Sequence, residues 1–307
     1  MSTQFAHLTP KTALLLLVPP LLWAGNAVVG RLVYPYVPPL TLNFLRWLGA
    51  FLLLLPLAYP VLKPSSPVWP HWRRYAVLAL LGVGCYNSFQ YLALHTSSPI
   101  NVTLVASSGP VFMLALGALF FGQRIQARQL MGAALSVLGV LFVLSRGDLS
   151  SLLQVRWVVG DIYVLIATLC WSVYSWLLSQ DRDPPELRRN WAFFLMAQVV
   201  FGLGWGGLFT ATEWVTTPAH IEWNTTLVLT LIYVVIGPAV LAYRCWGLGV
   251  QQAGPNVAGF FANLTPLFAA VISTLLLGEA PRAYHAVAFA LIVGGIWVSS
   301  KAPPPKG

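Results

Sequence analysis

Charge is scarce in this sequence, and negative charge scarcer still: 17 Lys and Arg and only 8 Asp and Glu among 307 residues make it 8% charged, where a soluble domain carries about 25%. Too little polarity is left to cover a water-facing surface, so a soluble globular fold is excluded. Cysteine is nearly absent. Cys85, Cys170 and Cys245 all fall inside apolar runs, none in a CxxC pair or beside a His at ligand spacing, which excludes a disulfide scaffold and a zinc site and leaves free, buried thiols as the expectation. His95 and His285 stand near helix ends without such a partner and read as surface residues. Also missing from the apolar segments are a clustered nucleophile and base, a paired carboxylate set and a His/Asp/Glu cluster. An intramembrane enzyme has nothing to work with, and no cofactor or metal is implied.

What is present is hydrophobicity: 58% of residues are hydrophobic and the mean hydropathy is +0.74. A spanning helix needs about 20 mostly apolar residues, so about ten spans fit, with no room for a separate soluble domain. The net charge of +9 is not a nucleic-acid footprint, because the basic residues lie singly or in pairs between apolar segments, where they set topology. The first run, Leu14 to Val33, is longer than a signal-peptide core and lacks an A-x-A site, so it reads as a retained helix.

Apolar runs between turn signals predict an all-α membrane protein with helices at about 12–33, 39–60, 74–95, 99–121, 127–145, 159–179, 190–210, 226–249, 255–277 and 283–300. Prolines punctuate the gaps, among them Pro35, Pro38, Pro64, Pro67, Pro184 and Pro185. Longer loops are expected at 61–73, 146–158 and 211–225. With the N-terminus inside, eleven basic residues fall in the cytoplasm and four outside, Arg31, Arg146, Arg156 and Arg282, while Arg46 and Arg244 lie within helices. Both termini are then cytoplasmic.

An internal repeat organises the chain. A shift of 156 residues lays Pro99 on Pro255, Ala106 on Ala262, Pro110 on Pro266, Gly122 on Gly278 and Gly139 on Gly295, without a gap. Leu22-Trp23-Ala24 resembles Cys170-Trp171-Ser172 at a shift of 148. The natural division is 12–145 and 159–300, five helices each. An odd count per repeat means the second half enters the membrane from the opposite side, so the repeats are inverted. Inverted repeats recur in secondary transporters, with the substrate site near the midplane where the halves meet.

Leu22-Trp23-Ala24-Gly25-Asn26, Pro39-Leu40-Thr41 with Arg46-Trp47, Pro110-Val111 with Gly122-Gln123-Arg124 and Gly139, and the second copy Pro266-Leu267 with Gly278-Glu279 and Gly294-Gly295 together resemble the drug/metabolite transporter superfamily, of the EamA-like ten-helix type. The likeness covers nearly the whole chain. That pattern usually has Glu after the Gly; here the second half keeps it and the first has Gln123. The resemblance implies a basket-shaped bundle in the bacterial inner membrane, with helices 3, 4, 8 and 9 lining a central cavity and a small-molecule substrate, commonly an exported amino acid or related metabolite. Import or exchange of organic anions or phosphates, and a non-transporting scaffold, are the alternatives.

The candidate contacts are polar or aromatic residues that lipid would penalise. Arg46 and Arg244 hold either a substrate carboxylate or phosphate, or make structural and snorkelling contacts. On helix 3, Tyr86 and Gln90 share one face and Asn87 and Tyr91 the next. On helix 9, Asn256 and Asn263 share a face, and Asn263 matches Ser107, each three residues before a proline. Tyr243 neighbours Arg244; Trp23 and Asn26, with Trp171 matched, either line the cavity or pack. No acidic residue lies deep in any predicted helix, since Asp161 starts one and Glu279 follows one. Small residues at Gly202 and Gly206, and at Ala286, Ala290 and Gly294, mark either close helix packing or the contact of a homodimer.

Overall fold

A computed structural model describes residues 8–97, 99–277 and 282–300; Gly278 and Glu279 of the second-half motif lie outside them. Ten helices long and apolar enough to cross a membrane form the bundle among the described residues. We number them α1 (Pro10–Leu32), α2 (Pro39–Leu62), α3 (Trp72–Thr96), α4 (Pro99–Ala106 and Gly109–Phe120), α5 (Ala127–Leu144), α6 (Val159–Ser179), α7 (Trp191–Thr216), α8 (Thr225–Ala253), α9 (Pro255–Ala262 and Thr265–Leu277) and α10 (Ala283–Ser300). The chain is a multi-pass membrane protein built of two inverted five-helix repeats.

The ends of α7 and α8 differ from expectation. The α7 helix continues to Thr216, absorbing 211–216 of the expected 211–225 loop, because Glu213 turns inward to cap another helix rather than out to solvent. Prolines do more than punctuate gaps: Pro19, Pro20, Pro56 and Pro238 sit inside helices. Without water, backbone carbonyls left open where a helix departs from regular geometry must find another donor, and in the irregular stretch of α8 Trp23 Nε1 donates to the Pro238 carbonyl at 3.4 Å.

Departures from regular helix occur in pairs, one in each half. Wide π turns interrupt α3 at Leu80–Cys85 and α8 at Val235–Leu241, and the 156-residue shift lays one on the other. α4 breaks at Ser107-Ser108 and α9 at Asn263-Leu264, again matched positions. The pseudo-twofold relation is also visible in the packing of α5 on α10. A Cβ on Gly132 would stand 2.7 Å from the Gly295 carbonyl oxygen, and one on Gly139 would stand 3.0 Å from that of Ala288. Gly132 matches Ala288 and Gly139 matches Gly295, so each contact is the image of the other.

Gly202 packs on Val83 and Gly206 on Phe44, which assigns those two small residues to close packing of α7 within the bundle. Ala286 and Ala290 face outward instead, while α10 meets α5 through Ala288, Ile292 and Gly295. The three cysteines are free and half-buried.

Candidate functional site

Residues in contact with their own repeat mates must lie on the pseudo-twofold axis, and the described residues include such pairs on three pairs of helices. Trp23 and Trp171 meet edge to face with ring centroids 5.1 Å apart. Asn87 Nδ2 donates to Tyr243 Oη at 2.9 Å. Asn263 Nδ2 donates to the Ser107 carbonyl at 3.4 Å, and to Ser136 Oγ at 3.0 Å. The axis therefore runs through α1 and α6, α3 and α8, and the two broken helices α4 and α9.

A cavity of about 100 Å³ straddles this axis, lined by Trp23, Tyr86, Gln90, Ser107, Thr168, Trp171 and Asn263, together with small residues of α4 and α9. That is room for several water molecules. Both helix breaks open onto it, the geometry by which discontinuous helices offer backbone groups and helix ends to a solute. One wall is aromatic, made by Trp23, Tyr86 and Trp171, and further rings back it. Tyr86 stacks on Trp171 at 4.3 Å, and Trp23 and Trp171 pack on Trp246 at 5.4 and 5.2 Å. Tyr174 and Tyr243 lie 5.0 and 5.3 Å from Trp171. These rings form an aromatic partition across the bundle.

The two faces of α3 divide as the sequence spacing implies. Tyr86 and Gln90 look into the cavity, while Asn87 and Tyr91 turn to Arg46. That arginine is fully buried, at 0% exposure. Its Nη1 donates to Asn87 Oδ1 at 2.8 Å, to Tyr91 Oη at 3.2 Å and to Asn26 Oδ1 at 3.4 Å, and Tyr91 donates in turn to Asn26 at 2.9 Å. Neither Nε nor Nη2 has a hydrogen-bond partner. No carboxylate pairs with the guanidinium among the described residues; the nearest compensation is the Trp47 ring, 5.4 Å away. A buried cation with two free donors is an anion-seeking arrangement.

Arg244 is not part of this cluster. It is exposed, its guanidinium 4.4 Å over the Trp191 ring, in a separate crevice with Arg188, Gln198, Gln251, Tyr174 and Tyr243. Asn256 is also apart, half-buried at the start of α9 with its Oδ1 unpartnered. Of the residues singled out from sequence, Trp23, Tyr86, Gln90, Ser107 and Asn263 therefore line the central cavity, and Asn26, Arg46, Asn87, Tyr91 and Tyr243 form the adjoining polar network.

Three features escaped the sequence reading. Trp246 completes the aromatic partition, and its place three residues after Tyr243, on the same helical face, was the available signal. Glu213 accepts from the Leu40 and Thr41 backbone N–H groups at 2.9 and 2.8 Å and from Thr41 Oγ1 at 2.7 Å, tying α7 to the first turn of α2. Asp183, in the α6–α7 connection, has a fully buried side chain held by Arg74 (2.6 and 2.9 Å) and Arg188 (3.0 Å). Both arginines also donate to carbonyls that end α6, so α3, α6 and α7 are laced together.

A bundle of inverted repeats, with paired helix breaks around an aromatic cavity on the pseudo-axis, defines a membrane transporter of small metabolites rather than an enzyme. The EamA-like transporter family model matches residues 10–145 and again 158–301, and the chain belongs to that family. It is 28% identical to an uncharacterized transporter of Archaeoglobus fulgidus over 94% of this chain and 97% of that one. It is 28% identical to the aromatic amino acid exporter YddG of Ancylobacter novellus over 78% of each, and 26% identical to a probable amino-acid metabolite efflux pump of Salmonella typhimurium over 94% of each. A crystal structure superposes with a TM-score of 0.70 at 22% identity, covering 94% of this chain and 96% of that one, which supports the fold.

Proposed function

We propose that this protein exports an amino acid or related carboxylate-bearing metabolite by alternating access, the halves 12–145 and 159–300 moving against each other around the pseudo-axis. The observation that carries the reading is that the uncompensated Arg46 guanidinium is held by Asn26, Asn87 and Tyr91, the immediate chain neighbours of the cavity-lining Ala27, Tyr86 and Gln90. In this reading the rings of Trp23, Tyr86 and Trp171 take the solute's apolar part, Gln90, Ser107, Asn263 and Thr168 its polar groups, and Arg46 its carboxylate. The exporter names of two relatives support the direction and the class.

In this reading that end of the bundle, with both termini, lies in the cytoplasm of a bacterial inner membrane, which the excess of Lys and Arg beside Arg74, Arg124 and Arg188 supports. The lacing of Asp183 with Arg74 and Arg188 then closes the cytoplasmic end, and the aromatic partition lies between it and the cavity. Because no carboxylate balances Arg46, exchange of organic anions is the second reading, in which a departing anion is replaced by an entering one.

Thermal unfolding of the purified protein tests the proposal. L-Phenylalanine raises the melting temperature, phenethylamine, which lacks the carboxylate, does not, and Arg46→Gln abolishes the shift while remaining folded. Proteoliposomes show L-phenylalanine counterflow. A panel of amino acids, organic acids and sugar phosphates that neither stabilises the protein nor exchanges through it refutes the transport reading and favours a scaffold.

A further inference from the structure

The crevice that holds Arg244 is the repeat counterpart of the Arg46 network. Three of its lining residues are mates of that network's members, and a fourth, Arg244, is the mate of the adjoining Ser88. At the 148-residue shift Asn26 falls on Tyr174, and at the 156-residue shift Asn87 falls on Tyr243, Ser88 on Arg244 and Tyr91 on Gly247. The hydrogen bonding carries over too. In the first half Asn26 takes its bond from Arg46 of α2; in the second, Tyr174 gives its own, at 2.8 Å, to Gln198 of α7.

The substitutions between the two versions have opposite effects on space and charge. Where the first half fills the network with the Tyr91 ring, the second has Gly247, and nothing lies within 4 Å of a Cβ built there. The room left is a crevice of about 20 Å³ where the first half is packed. The cation is supplied from the neighbouring helix: Arg244 stands where Ser88 stands in the first half, and Ser88 is buried, accepting from Asn43 Nδ2 at 2.9 Å. The Arg244 guanidinium sits over the Trp191 ring and makes no ion pair among the described residues, whereas Arg188 at the same crevice is committed to Asp181 and Asp183.

Each half thus presents one guanidinium without a carboxylate partner among the described residues, Arg46 from α2 and Arg244 from α8, beside matched neighbours, and inversion sets the two on opposite sides of the aromatic partition. Tyr174 and Tyr243 wall the Arg244 crevice and touch Trp171, which walls the cavity.

We infer that the Arg244 crevice is a second anion subsite, taking the carboxylate of the solute on the α6–α7 side of the partition, so that a solute crossing the bundle is passed between two related cations. The inference rests on the transport reading for its solute. Arg244 holds the anion through its free N–H fork while Trp191 fixes the plane of the guanidinium. Gln251 and Gln198 supply neutral polar lining. The same chemistry would accept the phosphate of an anionic lipid headgroup, and the test separates the two.

The full-length protein in phosphatidylcholine nanodiscs is treated with p-hydroxyphenylglyoxal, and modification of Arg244 is followed by mass spectrometry. L-Phenylalanine slows it severalfold, phenethylamine leaves it unchanged, and the exposed Arg156 reacts equally throughout. In vesicles presenting the Arg244 end outward, Arg244→Gln raises the half-saturation for L-phenylalanine about tenfold, Arg244→Lys restores part of it, and the opposite face is unaffected. Equal Arg244 reactivity with and without L-phenylalanine overturns the inference. So does protection that appears only with phosphatidylglycerol in the disc, which assigns the crevice to lipid. Wild-type counterflow without Arg244 protection sinks this inference alone; protection without counterflow leaves the subsite standing and removes the transport reading.

Discussion

A guanidinium held in a bilayer without a counter-charge is costly at the scale of the single residue, on the order of several kcal/mol even after local relaxation. Arg46 recovers part of that through Asn26, Asn87 and Tyr91 and leaves two donors unsatisfied. The ligand-free protein is therefore destabilised by the very group argued to bind. Arg46→Met, which keeps the volume and removes the charge, is expected to leave the melting temperature unchanged or higher while abolishing L-phenylalanine counterflow; a fall of many degrees would show that the arginine is structural. The sequence made Arg46 visible because charge inside an apolar run stands out. It could not distinguish Arg46 from Arg244, since both are single arginines in predicted helices. Burial separates them, and burial depends on which face of α2 or α8 meets the bundle.

Small residues and end contacts decide how individual helices sit. The α5–α10 pair approaches to the point where backbone carbonyls replace side chains in the interface, and Gly132→Ala pushes a methyl to 2.7 Å from the Gly295 carbonyl oxygen. Overpacking there is expected to cost about 1–3 kcal/mol, read as a lower melting temperature with L-phenylalanine binding retained. The Asp183 cluster works the other way, through charge. Asp183→Asn strips two arginines of their shared carboxylate in a buried setting and is expected to destabilise by about 3 kcal/mol. If that lacing closes the α6–α7 end, the same variant exposes the inner ends of α3 and α6 to water-soluble thiol reagents at introduced cysteines. The helices themselves were legible from apolar runs. The reach of α7 was not, because Glu213 reads as a loop residue until its acceptor role for α2 is seen. The wide turns in α3 and α8 were only half visible: Gly82, Gly84, Gly237 and Pro238 weaken a regular helix there, but they do not say that the chain answers with a wide turn rather than a kink.

Over the whole molecule, most of the architecture was readable from one fact, the 156-residue repeat. It fixed two halves, their inversion by odd helix count, and the pairing of Ser107 with Asn263, which the structure places in contact across the axis. What the repeat could not tell was which mates touch, since that depends on where the axis passes. Replacing both residues tests its position: Ser107→Cys with Asn263→Cys, in a protein otherwise free of cysteine, is expected to form an intramolecular disulfide under copper-phenanthroline and to halt counterflow until reduced. Failure to cross-link would move the axis away from the α4 and α9 breaks.

The matched π turns carry a historical implication. A π turn accommodates one residue more than regular helix in the same rise, the local signature of a single-residue insertion. Because Leu80–Cys85 and Val235–Leu241 are aligned by the same shift that aligns the segments after them, both halves carry the extra residue at one place. A duplication of one five-helix chain that already bore the turn would leave this pattern. For two such copies to pair about a twofold axis in the membrane plane, that chain would have to enter the bilayer in both orientations, whereas the present polypeptide holds one of each, with a packed arginine network in one half and a crevice in the other.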